Sequence, residues 1–459
     1  MPLLIHDIQY NTETELKTFS TGGVHPPENK LTANCPIQNL PLPQSAAIPV
    51  SQHIGAPANI IVNKGDSIKT GQIIAESKGF VSAFIHSSVS GKVNKIDTII
   101  DTSGYRQTAV FIDVEGDEWV DTIDRSDEIV TDINLSSEEI LKRCLNSGIV
   151  GMGGATFPSH VKLTVPAGKK CDVLIINGVE CEPFLTSDHR LMLERGEEVL
   201  IGTTILMKAL NVTRAMVGIE NNKKDAVDHL TKLATGFKGI TVHPLKVKYP
   251  QGAEKQLIKA LINREVPSGR LPLDVNAVVH NVGTAFAVYE AVQKNKPLFE
   301  RVVAVTGKSV AKPGNYLVRI GTPVSKLIDA AGGVPEDTGK IVSGGPMMGK
   351  ALINIDVPVV KGTSGIILFP QIESERKAME PCIRCSKCVL ACPLSLEPFL
   401  LMTLSMKGMF ERAEKEKITD CMECGSCSFE CPASRPLVDY IRLGKSTVIK
   451  MARERVIKK

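Results

Sequence analysis

At 459 residues with 43 % apolar and 23 % charged side chains, the chain is long enough for about three packed domains, and its formal charge of +4 is unremarkable. A single Trp and 4 % aromatics leave little material for an aromatic nucleic-acid platform. No window reaches about 18 uninterrupted apolar residues, so no segment is expected to span a bilayer. The opening Met1–Asp7 lacks the charged region and long apolar core of a secretory signal.

Residues 1–40 are rich in Pro, Asn and Thr, with turn chemistry at Thr21-Gly22-Gly23, and are expected to form an irregular arm lying on another domain. Residues 41–118 are expected to form short β segments with tight turns at Lys64-Gly65-Asp66, Gly71-Gln72 and Ser90-Gly91. This pattern resembles the half-barrel of biotinyl and lipoyl carrier domains. The tip Glu76-Ser77-Lys78-Gly79 lacks the sequence context of a modified lysine, so a structural barrel-sandwich hybrid is favoured over a swinging arm on Lys78.

After an acidic, polar linker comes an α/β domain, placed at 135–298. Ser136 with Glu139 three residues later reads as a capping box opening a helix to about residue 147. The loop Gly151-Met152-Gly153-Gly154-Ala155-Thr156-Phe157 follows. Its glycines let backbone N–H groups approach a phosphate or a flat ring closely, and Lys162 offers a countercharge, although the loop does not follow the G-x-G-x-x-G spacing. Taken alone, it could be a cofactor loop or a turn. The apolar run ending at Asn177 reads as a buried strand with a polar turn, Glu180-Cys181-Glu182, at its carboxyl end. Helix over 191–210, strand over 214–219, helix over 222–235 and strand over 240–247 continue a βαβ rhythm that predicts a doubly wound core. The segments at Tyr249 to Glu254 and at Asn281 to Thr284 read as polar turns opening helices. Residues 299–370 suggest a β-grasp unit: a hairpin over 302–319, a short helix over 324–331 and a last strand over 363–369.

Residues 371–445 carry the strongest signal. Cys382-x2-Cys385-x2-Cys388-x3-Cys392-Pro393 is repeated 27 residues later as Cys421-x2-Cys424-x2-Cys427-x3-Cys431-Pro432. This is the ferredoxin run in which three thiolates of one loop bind one [4Fe–4S] cluster and the fourth binds the other. One cluster is therefore assigned to Cys382, Cys385, Cys388 and Cys431, and the second to Cys421, Cys424, Cys427 and Cys392. Zinc knuckles lack the third evenly stepped Cys and the trailing Pro. Disulfides would need an oxidising compartment. The other four cysteines (Cys35, Cys144, Cys171, Cys181) are scattered, as expected in a reducing cytoplasm. Between the runs, 396–415 reads as a helix whose Met402, Met406 and Met409 pack in a core. Residues 446–459 form a basic tail that either meets anionic lipid or an acidic partner, or is a solvated terminus.

In this order, the modules resemble the RnfC subunits of the Rnf complex, the membrane-bound, ion-translocating ferredoxin:NAD⁺ oxidoreductase. The middle domain also resembles the NADH-binding flavoprotein subunit of respiratory complex I. That family's G-R-G-G-A-G-F-P is here Gly151 to Pro158, its N-A-D-E-x-E-P is Asn177 to Pro183, its Y-x-x-G-E-E matches Tyr249, Gly252 and Glu254, and its N-V-E-T matches Asn281 to Thr284. Met152, Thr156, Val179 and Gly283 depart from that pattern and fit Rnf-type sequences better. The resemblance implies FMN held by Gly151, Gly153, Gly154, Ala155, Phe157, Lys162, Asn177, Tyr249, Gly252, Glu254, Asn281 and Thr284. It implies NAD(H) stacked on the flavin near Glu180 and Glu182, and no catalytic acid–base pair.

It further implies partners within the Rnf complex: its ferredoxin-like subunit, RnfB, and the membrane-embedded subunits that move the ion and hold this chain at the cytoplasmic face of the inner membrane. No nucleic-acid partner is expected. The rival readings are a corrinoid reductase built of the same modules, in which the glycine-loop domain tends to come first, and a wiring scaffold without flavin.

Overall fold

The computed structural model describes residues 16–457. Part of the expected arm (1–15) and Lys458 and Lys459 of the basic tail lie outside them. From Leu16 the arm lies against other units: Lys17 bridges to Leu245, Val24 pairs with Tyr249, and β1 (Ile37–Asn39) adds in parallel to the edge of a sheet formed much later in the chain.

Seven strands then build the barrel-sandwich hybrid: β2 (Ser45–Pro49), β3 (Asn59–Ile60), β4 (Ser67–Ile68), β5 (Ile73–Glu76), β6 (Ile85–His86), β7 (Gly91–Ile100) and β8 (Arg106–Val114). They form two sheets, ordered β2-β8-β7-β4 and β3-β5-β6. Their alternating apolar residues meet in a core with Ile48, Ile74, Ile85 and Ile112 fully buried. Gly91 opens β7 at φ +147°, where any Cβ would strike the Asp113 carbonyl, so the close crossing onto β8 requires glycine.

The α/β domain starts with α1 (Ser137–Asn146), whose N-cap is Ser136. The capping box forms as the sequence predicts, with Ser136 and Glu139 each accepting from the other's backbone N–H. The glycine loop leads into α2 (Ser159–Leu163), followed by β9 (Val173–Asn177), α3 (Ser187–Glu194), α4 (Gly196–Leu210), β10 (Ala215–Glu220), α5 (Lys224–Ala234), β11 (Ile240–Leu245), α6 (Glu254–Ile262), β12 (Ala277–Asn281) and α7 (Val282–Gln293). The one helix expected over 191–210 is two. The chain breaks at Arg195 (φ −134°), and Gly196 packs so close to Leu230 and His229 of α5 that a Cβ would come within 2.9–3.0 Å of both.

All pairings in this sheet are parallel, in the order β11-β10-β9-β12. Val173 to Ile176 of β9 are at most 2 % exposed, which accounts for their unbroken apolar run. Strand order reverses between β9 and β12, which makes the crevice beyond their carboxyl ends the topological switch point.

The β-grasp unit comprises β13 (Glu300–Thr306), β14 (Gly314–Arg319), α8 (Val324–Ala330), β15 (Thr338–Ser343), β16 (Lys350–Ala351) and β17 (Gly365–Pro370). With β1 it forms a six-stranded sheet, β1-β14-β13-β17-β15-β16. The last unit is helical: α9 (Gln371–Ser374), α10 (Lys387–Ala391), α11 (Pro398–Met406), α12 (Phe410–Lys415), α13 (Ser426–Phe429) and α14 (Leu437–Ile457).

The helix expected over 396–415 is broken at Gly408, which turns at φ +66°. Met402 is core as expected, but the break leaves Met406 44 % and Met409 42 % exposed. The basic tail expected from residue 446 continues α14. Some of its neighbourhood's charge is used internally: Lys445 pairs with Glu423 at 3.0 Å and Arg455 with Glu414 at 2.6 Å.

Candidate functional site

The two cysteine loops adopt one backbone pattern twice. Arg384 and Ser386 flank Cys385 with positive φ, and Glu423 and Gly425 flank Cys424 in the same way. Ser395 and Ser434, each three residues past the Cys of a Cys-Pro pair, are left-handed too. These alternations wrap each loop around a point, so its thiols face inward.

Cys382, Cys385 and Cys388 line a cavity of about 310 Å³ together with Cys431, the last Cys of the other run. Cys421, Cys424 and Cys427 line a tight space of about 20 Å³ with Cys392, closed by Leu396, Leu401, Val438 and Ile441. Among the described residues, no three His, Cys, Asp or Glu side chains converge as a single metal ion would need. Four thiols lining a cavity from different sides is the donor set of a cubane, with one iron for each thiolate. Two backbone N–H groups approach sulfur, Leu396 to Cys392 and Glu423 to Cys421, each at 3.4 Å. Burial pushes the Cys421 thiol up to about 11, so metal loading there must displace a proton.

The two thiol sets differ in depth. Cys382 and Cys385 are exposed, whereas Cys392, Cys424 and Cys427 are buried. Three other units hold the inner set. Tyr249 Oη donates to the Cys424 carbonyl at 2.8 Å, Gln256 Nε2 to the Pro393 carbonyl at 3.0 Å, and Gly23 N of the arm to the Ala391 carbonyl at 3.0 Å. Gly425 lies against Met347 of the β-grasp turn, where a Cβ would come within 2.7 Å of its carbonyl.

Tyr249 also joins this set to the cleft at the switch point. Its hydroxyl lies 3.3 Å from Glu182 Oε1, while the Glu182 carboxylate accepts from Met347 N at 3.0 Å and Met348 N at 2.9 Å. Desolvation pushes Glu182 up to about 7 against the pull of these donors.

In the cleft, Asn177 and Asn281 are register partners at the ends of β9 and β12. Asn177 Nδ2 donates to the Gly252 carbonyl at 2.8 Å. Asn281 caps α7 by accepting from Gly283 N at 2.8 Å, and its Nδ2 donates to Asp188 at 2.6 Å. Thr284 Oγ1 accepts from Met152 N at 2.9 Å, which pins the glycine loop over this end of the sheet. Gly153, Gly154 and Ala155 are exposed there, and a Cβ on Gly153 would touch the Asn281 side chain at 3.4 Å. Phe157 closes the loop by accepting from Gly151 N at 2.9 Å. Lys162 Nζ donates to the Val279 carbonyl at 2.6 Å and pairs with Glu254.

Glu180, expected near the nicotinamide, has both oxygens engaged at the start of α3, accepting from Asp188 N at 2.8 Å and His189 N at 3.1 Å. Several residues of this neighbourhood carried no sequence signal. Asp188 orients Asn281, and burial followed by the nearby Glu180 carboxylate raises its affinity for a proton. Lys30 of the arm donates to the carbonyls of Glu180, Glu182 and Leu185 at 2.7–2.9 Å. Lys361 is 1 % exposed and donates to the carbonyls of Gly148 at 2.7 Å and Phe84 at 3.1 Å.

The chain matches four family models in order: the RnfC barrel sandwich hybrid domain over residues 17–117, the Nuo51 FMN-binding domain over 145–290, the SLBB domain over 302–351 and the 4Fe-4S dicluster domain over 373–432. It is 50 % identical over 434 residues to the RnfC-type subunit of the proton-translocating ferredoxin:NAD(+) oxidoreductase complex of Clostridium ljungdahlii, covering 94 % of each chain. It is 44 % identical over 435 residues to the corresponding subunit of the Na(+)-translocating ferredoxin:NAD(+) oxidoreductase complex of Acetobacterium woodii, covering 94 % of this chain and 98 % of that one. It is 43 % identical to the corresponding subunit of the ion-translocating oxidoreductase complex of Rhodobacter capsulatus, covering 94 % of this chain and 83 % of that one.

Proposed function

The chain belongs to the RnfC family of subunits of the Rnf complexes, the ion-translocating ferredoxin:NAD⁺ oxidoreductases, and from that membership we propose how its residues serve the reaction. It is the NADH-binding, electron-transferring subunit, with FMN, NAD(H) and two [4Fe–4S] clusters as its cofactors. Flavin exchanges a hydride with nicotinamide and single electrons with iron–sulfur centres, and so converts two-electron into one-electron chemistry.

The protein's part is placement. The loop of Gly151 to Ala155, with Lys162, takes the flavin's phosphate end, and Asn177 and Asn281 hold its ring at the switch point. Glu180 acts by fixing α3 and with it Asp188, so that Asn281 keeps one orientation. Glu182, poised near neutrality, faces the nicotinamide nucleotide from the side where the β-grasp turn closes the cleft. Cys392, Cys421, Cys424 and Cys427 hold the inner cluster. Cys382, Cys385, Cys388 and Cys431 hold the outer one.

The observation that supports this reading most is Tyr249, whose hydroxyl spans from Glu182 to the backbone of Cys424. One side chain is thereby a wall of both the cleft and the inner thiol set. The test is iron and flavin per chain on anaerobically purified protein, with the visible spectrum followed as NADH is added. About eight irons and one FMN are expected, with flavin and cluster absorbance bleaching together. Eight irons with no flavin, even after FMN is supplied, would leave only a wiring scaffold.

No helix among the described residues is long and apolar enough to cross a membrane. The chain therefore sits at the cytoplasmic face of the membrane through its partners in this reading, with ion movement left to membrane-embedded subunits. The outer thiol set is lined by Ile383, which is 68 % exposed, together with Arg384 and Arg435. An exposed apolar side chain with two arginines at the same mouth fits an acidic electron carrier such as the ferredoxin-like RnfB. Ile383→Asp is expected to slow electron exchange with a reduced acidic ferredoxin by about tenfold while NADH-driven flavin bleaching is unchanged. An unchanged exchange rate would place the partner elsewhere.

A further inference from the structure

Two exposed apolar side chains of the barrel lie on segments that adjoin the glycine loop and α2. Ile54 is 51 % and Phe80 64 % exposed. Their segments are tied to each other: Ala56 N donates to the Val81 carbonyl at 3.0 Å and Ser82 Oγ to the Ala56 carbonyl at 2.9 Å. Between them Gly55 turns at φ +114°, so close to the Val81 carbonyl that a side chain would not fit.

Both segments reach the α/β domain through their backbones. Ile54 N donates to the Thr156 carbonyl at 3.3 Å, and the Phe80 carbonyl meets His160 Nε2 at 3.0 Å. The Phe80 ring stands edge-on to the His160 ring with centroids 6.2 Å apart. Thr156 turns within the glycine loop at φ +51°, and a Cβ on Gly154, two residues earlier, would meet nothing within 4 Å. An open space bordered by a phosphate-cradling backbone on one side thus has an apolar, aromatic ledge close by.

A nicotinamide dinucleotide carries two flat bases joined by a pyrophosphate. With the nicotinamide at the flavin, the pyrophosphate would pass outside the loop that holds the flavin, over its open rim at Gly154, and the second base would emerge beyond it. We propose that Ile54 and Phe80 form the ledge on which the adenine ring of NAD(H) stacks. The carrier-like barrel tip, whose Lys78 was the candidate for a prosthetic group, then serves instead as half of a nucleotide site. This rests on the reading of the cleft as an NAD(H) site.

The test compares NADH with reduced nicotinamide mononucleotide, which lacks the adenosine half, on the purified full chain loaded with FMN. Phe80→Ala combined with Ile54→Ala is expected to raise KM for NADH about tenfold, the order contributed by one stacked base, and to leave kcat unchanged. Kinetics with the mononucleotide should not move, and Phe80→Trp should behave as the parent does. The hydrogen bonds to Thr156 and His160 are made by backbone atoms of Ile54 and Phe80, which the substitutions leave in place, and only the edge contact of the Phe80 ring with His160 is lost, which Phe80→Trp restores with an aromatic ring. Equal losses with both substrates, or no change with NADH, would overturn the ledge. A parent protein that oxidises neither substrate would instead overturn the dehydrogenase reading, and the ledge with it.

Discussion

Replacing Cys431 by alanine is expected to empty the outer site, the one whose other three ligands lie in the first cysteine run. Iron should fall from about eight to about four per chain. The residual cluster spectrum should match that of Cys382→Ala, some 50 residues away, and differ from that of Cys421→Ala, in the same run as Cys431. The reason is the crossed lining of the two cavities, with Cys431 beside Cys382, Cys385 and Cys388, and Cys392 beside Cys421, Cys424 and Cys427. NADH should still bleach the flavin of the Cys431→Ala protein, while electron delivery to an external ferredoxin should collapse. A spectrum of Cys431→Ala that matches Cys421→Ala would rule out the crossed assignment.

The second large effect concerns Lys361. Burial lowers its ammonium to about 7 from an ordinary value of 10.5. Its Nζ donates to two carbonyls, and none of the described carboxylates forms an ion pair with it. Between about pH 7 and 10.5 the unfolded chain therefore binds more proton at this site than the folded one. By linkage, stability rises with pH across that window and the cost of burying the charge is full below it.

A shift of this size corresponds to a cost of about 5 kcal/mol. Lys361→Met removes it but leaves the Gly148 and Phe84 carbonyls without a donor, at about 1 kcal/mol each. The variant should be about 3 kcal/mol more stable than the parent at pH 6, with the advantage disappearing toward pH 10. Chemical denaturation of the FMN-loaded chain at the two pH values measures this. A variant less stable than the parent at pH 6 would mean that the lysine is charged and well solvated in the fold.

The parts of this molecule that were legible in sequence are those governed by local rules. The spacing of Cys382 to Cys392 and of Cys421 to Cys431 is a ligand pattern in its own right. Ser136 and Glu139 form a capping box because both partners lie within one turn. The unbroken apolar run before Asn177 follows from its strand being covered on both faces.

Illegible were features that depend on what arrives from elsewhere. The break at Arg195 reflects the fit of Gly196 against α5. Lys361 is buried because the barrel, at Phe84, and the turn after α1, at Gly148, meet over it. The resemblance implies a place for Glu180 near the nicotinamide, while its engagement by the backbone N–H groups of Asp188 and His189 depends on where α3 begins, at Ser187.

The arm also constrains when the protein can finish folding. Its Val24 pairs with Tyr249, its Gly23 with Ala391, and its Ile37–Asn39 with the β-grasp sheet. A segment made first thus waits for partners made last, on the order of tens of seconds at the pace of synthesis. The seat of the arm against Ala391 and Cys424 is therefore complete only after both cysteine runs have emerged.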